Sequence, residues 1–197
     1  MKIITITGGS LYTNCYMAFA DDSDTCVLVD PGFDAEQILE KVRSNGKTVA
    51  AVFLTHGHFD HIGGVKEIAA QTGCKVYIHE ADLGLPSRLT VGTVPATDHF
   101  HEGDTVTAAG LTFEVLHTPG HTPGGVCLLC EDAMFAGDTL FAGTCGRTDL
   151  PGSSPKQMRE SLSRLAKLEG NYKVLPGHGI YSTLDMEKRV NPYLQWS

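Results

Sequence analysis

The chain is short of positive charge. Its 15 lysines and arginines face 23 acids, giving a formal net charge of -8 and an isoelectric point near 5.5. That balance argues against a nucleic-acid surface and against docking on an anionic membrane, so neither partner is expected. No apolar run approaches the length of a membrane span. Residues Met1 to Gly9 are too short and too polar for a secretory leader and read as an edge strand. The expected compartment is therefore the cytoplasm, where the six cysteines (15, 26, 74, 127, 130 and 145) would be reduced thiols. Cys127 and Cys130 do not make a metal or redox pair, because on a strand residues three apart point to opposite faces. Also missing are a linker, a low-complexity tract and a repeat, so one domain over residues 1–197 is the simplest organisation. A Ser-His-Asp triad is absent as well.

What is present is an ordinary globular composition, 42% hydrophobic and 19% charged. Short strands are expected at 3–7, 14–19 and 25–29, with a turn at Asp30-Pro31-Gly32. Ala35, Ile38, Leu39 and Val42 repeat at helical spacing, with Asp34 and Gln37 as a capping pair and Gly46 as the stop. Val49 to Leu54 is a strand buried on both faces. A helix is expected from Ile62 to Thr72 and a strand at 75–78, then an irregular stretch over 80–104 with one small helix. Strands near 105–108, 111–116, 125–130 and 133–136 follow. A helix from Pro155 to about Leu168, capped by Ser154, precedes a strand at 173–175 and a short helix from Leu184.

Chemistry gathers where strands end. Thr55-His56-Gly57-His58-Phe59-Asp60-His61 puts three imidazoles and a carboxylate directly after a buried strand. Such a run is poor core material and a good metal site. The pattern recurs: Val115-Leu116 leads to His121, Phe135-Ala136 to Asp138, and Val174-Leu175 to His178. Rigid strand ends with small turn residues can hold several ligands at one place. The remaining histidines lack this context. His79 is expected to cap a turn or face solvent, His99 and His101 to lie in a solvated loop, and His117 to be structural.

Together, Thr-His-x-His-x-Asp-His at 55–61, Pro-Gly-His-Thr-Pro-Gly at 119–124, Gly-Asp at 137–138 and Pro-Gly-His at 176–178 resemble the metallo-β-lactamase superfamily. Leu28 to Gly32 fits the same pattern. The resemblance implies an α/β (α+β) fold, an αββα four-layer sandwich with its site at the sheet edge. It puts His56, His58 and His121 on one metal, Asp60, His61 and His178 on a second, and Asp138 between them. Asp30 would orient ligands from behind, and Asp60 would also orient the attacking water. Two divalent ions are implied, zinc first, with iron or manganese also possible.

Within the superfamily, Asn14-Cys15-Tyr16 and Phe141 to Leu150 resemble short bacterial glyoxalase II-like proteins (hydroxyacylglutathione hydrolases). The activity implied is hydrolysis of a small anionic thioester such as S-lactoylglutathione by metal-activated water, with Arg147 as the substrate's cation. The chain ends about twenty residues after His178, so the helical extension that carries glutathione contacts in full-length glyoxalase II is expected to be absent. The Cys145-Gly146-Arg147-Thr148-Asp149 segment also resembles the superfamily's persulfide dioxygenases, which use one iron. A non-catalytic metal-binding relic is the third reading, which a complete set of seven ligand-type residues disfavours.

Overall fold

The computed structural model describes residues 1–90 and 92–195. Val91, inside the stretch expected to be irregular, lies outside the described residues, as do Trp196 and Ser197. The first half opens with an antiparallel meander, β1 (Lys2–Gly8), β2 (Thr13–Phe19) and β3 (Thr25–Val29). Helical crossovers then carry the chain into parallel pairing. α1 (Ala35–Ser44) leads to β4 (Thr48–Phe53), and α2 (Phe59–Ile62) and α3 (Val65–Thr72) lead to β5 (Lys75–His79). After α4 (Ser87–Thr90), β6 (Asp98–Phe100) closes this sheet in the order β1-β2-β3-β4-β5-β6.

The second half supplies β7 (Thr105–Ala108), β8 (Leu111–His117), β9 (Val126–Cys130) and β10 (Ala133–Gly137). A small ribbon follows, β11 (Leu140–Phe141) with β12 (Thr144–Cys145). Then come α5 (Pro155–Ala166), β13 (Lys173–Pro176), β14 (Ser182–Thr183) and α6 (Leu184–Val190). The second sheet runs β14-β13-β10-β9-β8-β7.

Alternation along the strands explains the layers. On β9, Val126, Leu128 and Cys130 join the cluster that holds the first sheet and α1, while Cys127 and Leu129 face α5 and α6. The period of two thus feeds two cores from one sheet, and the two cysteines point apart as expected. The result is helices, sheet, sheet, helices. The capping pairs also form: Asp34 and Ser154 each accept from the backbone N–H three residues on, at Gln37 and Gln157.

Three expectations need correction. The helix expected over Ile62–Thr72 starts at Phe59 and breaks between α2 and α3 at Gly63-Gly64. A Cβ on Gly63 would lie 2.4 Å from the Gly32 carbonyl oxygen, so this contact needs bare backbone. The stretch 80–104 is more ordered than expected, with a 3₁₀ turn at Glu80–Gly84 besides α4 and β6. His99 therefore lies on a strand, not in a loop. The open edge of β5 needs a partner for its backbone groups, and Asp98–Phe100 supplies it.

The candidate metal centre

All seven ligand-type residues meet at one end of the two sheets. His56 and His58 follow β4, Asp60 and His61 sit on α2, His121 on the β8–β9 loop, Asp138 after β10 and His178 after β13. Ligand atoms of His56, His58 and His121 lie within 4.8 Å of one another, as do those of Asp60, His61 and His178. Asp138 stands between: Oδ1 is 3.5 Å from His61 Nε2, and Oδ2 is 3.5 Å from His121 Nε2 and 3.7 Å from His178 Nε2.

The ring orientations follow from what each Nδ1 meets. His121 Nδ1 donates to the Arg147 carbonyl at 2.8 Å, and His178 Nδ1 donates to the Leu11 carbonyl at 3.1 Å. His61 Nδ1 donates to Asp30 Oδ2 at 3.0 Å. Thr55 Oγ1 gives its proton to the same carboxylate at 2.6 Å, so it can accept from His56 Nδ1 at 3.2 Å. These bonds fix the ring orientations and leave four Nε2 atoms aimed inward. His58 is turned the other way, with Nδ1 2.9 Å from His121 Nε2. His56 Nε2, His58 Nε2 and Asp138 Oδ1 are buried without a hydrogen-bond partner. Buried polar atoms with nothing to meet are costly unless a cation supplies the missing partner. The donor set, imidazole and carboxylate, fits a divalent metal on chemistry as well as on position.

Electrostatics divide the cluster. Burial, with the neighbouring imidazoles, holds His56 well below the ordinary histidine range and His58 down at about 3. Burial pushes His61 the same way, but Asp138, Asp30 and Asp60 outweigh it and carry His61 up to about 9. Asp60 is also penalised by burial, yet the bond from His178 and the field of His61 hold it at about 2. Asp60 is thus a carboxylate in the acidic half of the site.

Backbone close to the cluster is held across the sheets. Asn14, 3% exposed, donates through Nδ2 to the carbonyls of Pro176 and Gly179, at 3.1 and 3.0 Å. Tyr16 donates to the Pro176 carbonyl at 2.6 Å. The His178 loop in one sheet is therefore tied to β2 in the other. Gly177 allows the approach, since a Cβ there would meet Asp138 Oδ1 at 2.3 Å. Asp30 is 2% exposed and accepts from the Thr55 backbone N–H at 2.7 Å, so it orients both His61 and the start of the histidine loop.

Residues 8–178 match the metallo-beta-lactamase superfamily. The chain belongs to that superfamily. Across 209 residues it is 32% identical to a hydroxyacylglutathione hydrolase, GloC, of Haemophilus influenzae, covering 98% of this chain and 97% of that one. Among solved structures, the BLEG-1 B3 metallo-beta-lactamase superposes with a TM-score of 0.90 at 34% identity, covering 98% of this chain and all of the other. ETHE1 from Myxococcus xanthus gives 0.87 at 30% identity, over 98% of this chain and 84% of its own.

One structural residue of this metallo-beta-lactamase fold was not legible in its sequence. Asp82 is fully buried and accepts from the Gly57 N–H at 2.8 Å, the Thr122 hydroxyl at 2.9 Å and the Gly124 N–H at 2.6 Å. It pins the His56–His58 loop to the His121 loop. Burial raises its pKa against the pull of these three donors. Beside it, His79 and His117 stack at 4.1 Å. His79 Nδ1 accepts from Ala81, and His117 Nε2 donates to the Pro123 carbonyl, so both serve the scaffold as expected. Exposed His101 faces Asp104. Arg147 lines the site cavity, but its guanidinium is clasped by Asp149 through two bonds of 2.7 Å. Its carbonyl, not its charge, is what holds His121.

Proposed function

We propose that the protein is a metal-dependent thioester hydrolase acting on a small anionic thioester such as S-lactoylglutathione. The observation that carries this reading is the approach of ligand atoms in two trios, His56-His58-His121 and Asp60-His61-His178, with unpartnered buried atoms at His56 and Asp138 beside them. His56, His58 and His121 would hold one divalent ion and Asp60, His61 and His178 the second, with Asp138 shared and Asp30 steadying His61. Zinc suits the donors best, and iron or manganese would also fit. When bound, such ions lower the pKa of water to about 7 and polarise a carbonyl.

The chain's own residues do the rest. Asp60, ionised above a pKa of about 2, can accept a hydrogen bond from the attacking water and orient it. Leu11, Phe59, Leu89 and Leu150 wall the cavity and limit bulk water around the reacting carbonyl. Water adds at the acyl carbon, a C–O bond forms, the C–S bond breaks, and a carboxylate and a thiol leave. A free thiol has a pKa of about 8.5, so the departing sulfur needs little acid help. Cys145 offers no rival nucleophile, because burial pushes its thiol up to about 11. Arg147 would reach a substrate carboxylate only by letting go of Asp149.

Elemental analysis paired with S-D-lactoylglutathione hydrolysis tests the proposal. Two metal equivalents with stoichiometric thiol release are expected. The likeness to ETHE1 and the Cys145–Asp149 resemblance keep one rival in play, an iron-dependent persulfide dioxygenase. One tightly held iron, with oxygen uptake on glutathione persulfide and no thioester turnover, would replace the hydrolase reading.

A further inference from the structure

A second hollow adjoins the cluster. It encloses about 340 Å³ and shares Leu11, Phe59 and Asp60 with the cavity over the seven ligand-type residues. Its lining includes the glycines Gly9, Gly32 and Gly63 and the hydroxyl residues Ser10, Thr13, Thr90 and Thr93. Thr90 spends its proton on the Gly92 carbonyl, whereas Ser10 and Thr93 have no hydrogen bond among the described residues. Among the described residues of the lining, Asp60 is the only carboxylate, standing at the end shared with the cluster, and Lys66 the only cation.

Lys66 is placed against local preference. It lies in the first turn of α3, where the helix dipole disfavours a positive side chain, and Gly64 at the cap brings no side-chain acceptor. Among the described residues the Lys66 side chain makes no ion pair and no hydrogen bond. Its neighbour Glu67 does not line the groove, so Lys66 is the charge that this helix start presents to a hollow adjoining the candidate centre. Arg147, the other cation at the cavity, is already neutralised by Asp149.

We propose that this groove seats a carboxylate on the distal arm of the thioester, with Lys66 as its counter-ion. This rests on the thioesterase reading and deepens it. Ser10 and Thr93 offer hydrogen bonds to the polar atoms of the arm, and Leu11, Phe59 and Pro95 cover its apolar atoms. The carboxylate can belong to the thiol portion or to the acyl portion, and both present the same group to Lys66.

Three substrates separate these sources on the metal-loaded full chain. S-lactoylglutathione carries carboxylates on the thiol side, succinyl-N-acetylcysteamine on the acyl side, and acetyl-N-acetylcysteamine on neither. Lys66→Ala is expected to raise KM about tenfold for the substrate whose carboxylate occupies the groove, with kcat held within about twofold and the neutral substrate unaffected. Lys66→Arg should restore KM, and Lys66→Glu should raise it further. An equal change in KM for the neutral substrate, or none for either anionic one, overturns the proposal. If the parent protein turns over none of the three, the thioesterase reading fails by itself. The groove is then read by calorimetric binding of S-methylglutathione and of succinate. About tenfold weaker binding of either in Lys66→Ala supports it, and unchanged binding of both overturns it.

Discussion

His56, His58 and His121 are three imidazoles, each no more than 6% exposed, whereas Asp60, His61 and His178 mix carboxylate with imidazole and leave the His178 side chain a quarter exposed. The first trio has no carboxylate of its own, and burial holds His56 well below the ordinary histidine range and His58 at about 3. The second is set among Asp30, Asp60 and Asp138, which draw a proton onto His61. His56 and His58 are therefore ready for a cation at any ordinary pH, whereas His61 must first surrender a proton. The two halves also lean on different parts of the fold, with Asp30 common to both. Asp82 and the start of α5 hold the first, while Asn14 ties down the His178 loop of the second.

The comparison breaks most severely with His58→Ala. If the buried trio supplies several kcal/mol of transition-state stabilisation, its loss lowers kcat/KM by about a thousandfold or more. Metal content should fall from two equivalents toward one. His178→Ala, in the more open half, should also lose one equivalent but retain the ion at the first trio. Turnover by His58→Ala at the parent rate would remove the proposed chemistry altogether.

Titration sharpens the contrast. Raised from 6.5 to about 9, His61 contributes stability to the metal-free fold that is fully present below pH 6.5 and lost as pH rises through about 9. By linkage this is on the order of 3 kcal/mol. Thermal melts of the metal-free protein should therefore drop across that window, and melts of the loaded protein should not. Metal affinity at the second trio should climb over the same range while that at the first stays flat. Parallel pH profiles at the two positions would show that the halves are not electrically distinct.

Asp82→Asn comes next. The amide can accept on one side only, so one of the buried N–H or O–H donors at Gly57, Thr122 and Gly124 is left facing an NH₂ group. An unmet buried donor costs about 1–3 kcal/mol. Because the distortion falls between the His58 and His121 loops, metal affinity at the first trio should fall about tenfold to a hundredfold. The second trio should keep its affinity, and equal losses at both would mean that Asp82 serves the whole fold.

Much of this could be read before any coordinates. Period-two and period-3.6 patterning marked the strands and helices, and the seven ligand-type residues stood out because each follows an apolar strand. The layer order could not be read from the pattern. It came from the likeness of the motifs, and the two cores on either side of β9 bear it out. What remained hidden depends on contacts distant in sequence. Asp82 sits in Glu80-Ala81-Asp82-Leu83-Gly84, which looks like surface, and its burial is decided by Gly57 and Gly124, glycines that let two loops close over a carboxylate. Lys66 reads as a common helix-surface lysine until the groove beside it is known. Arg147 stood out as the cation near the site, but Asp149, two residues away, claims its charge.

The smallest effect is expected where the first trio meets α5. Ser153 Oγ donates to the His121 carbonyl at 2.8 Å, the Ser154 N–H donates to the Gly120 carbonyl at 2.8 Å, and Ser161 Oγ donates to the Pro119 carbonyl at 2.7 Å. Ser153→Ala removes one of three bonds that steady a loop whose imidazole is fixed separately through Nδ1 by the Arg147 carbonyl. A single hydrogen bond of this kind contributes about 0.5–1.5 kcal/mol, which for a chain of this size lowers Tm by about 1–6 °C. The ring itself should stay in place, so metal affinity at the first trio should weaken less than about threefold, far less than in Asp82→Asn. If Ser153→Ala instead released the first metal as readily as Asp82→Asn does, the His121 loop would be held chiefly by the Ser153 hydroxyl. The link through Asp82 would then lose its place as the main constraint on the buried half.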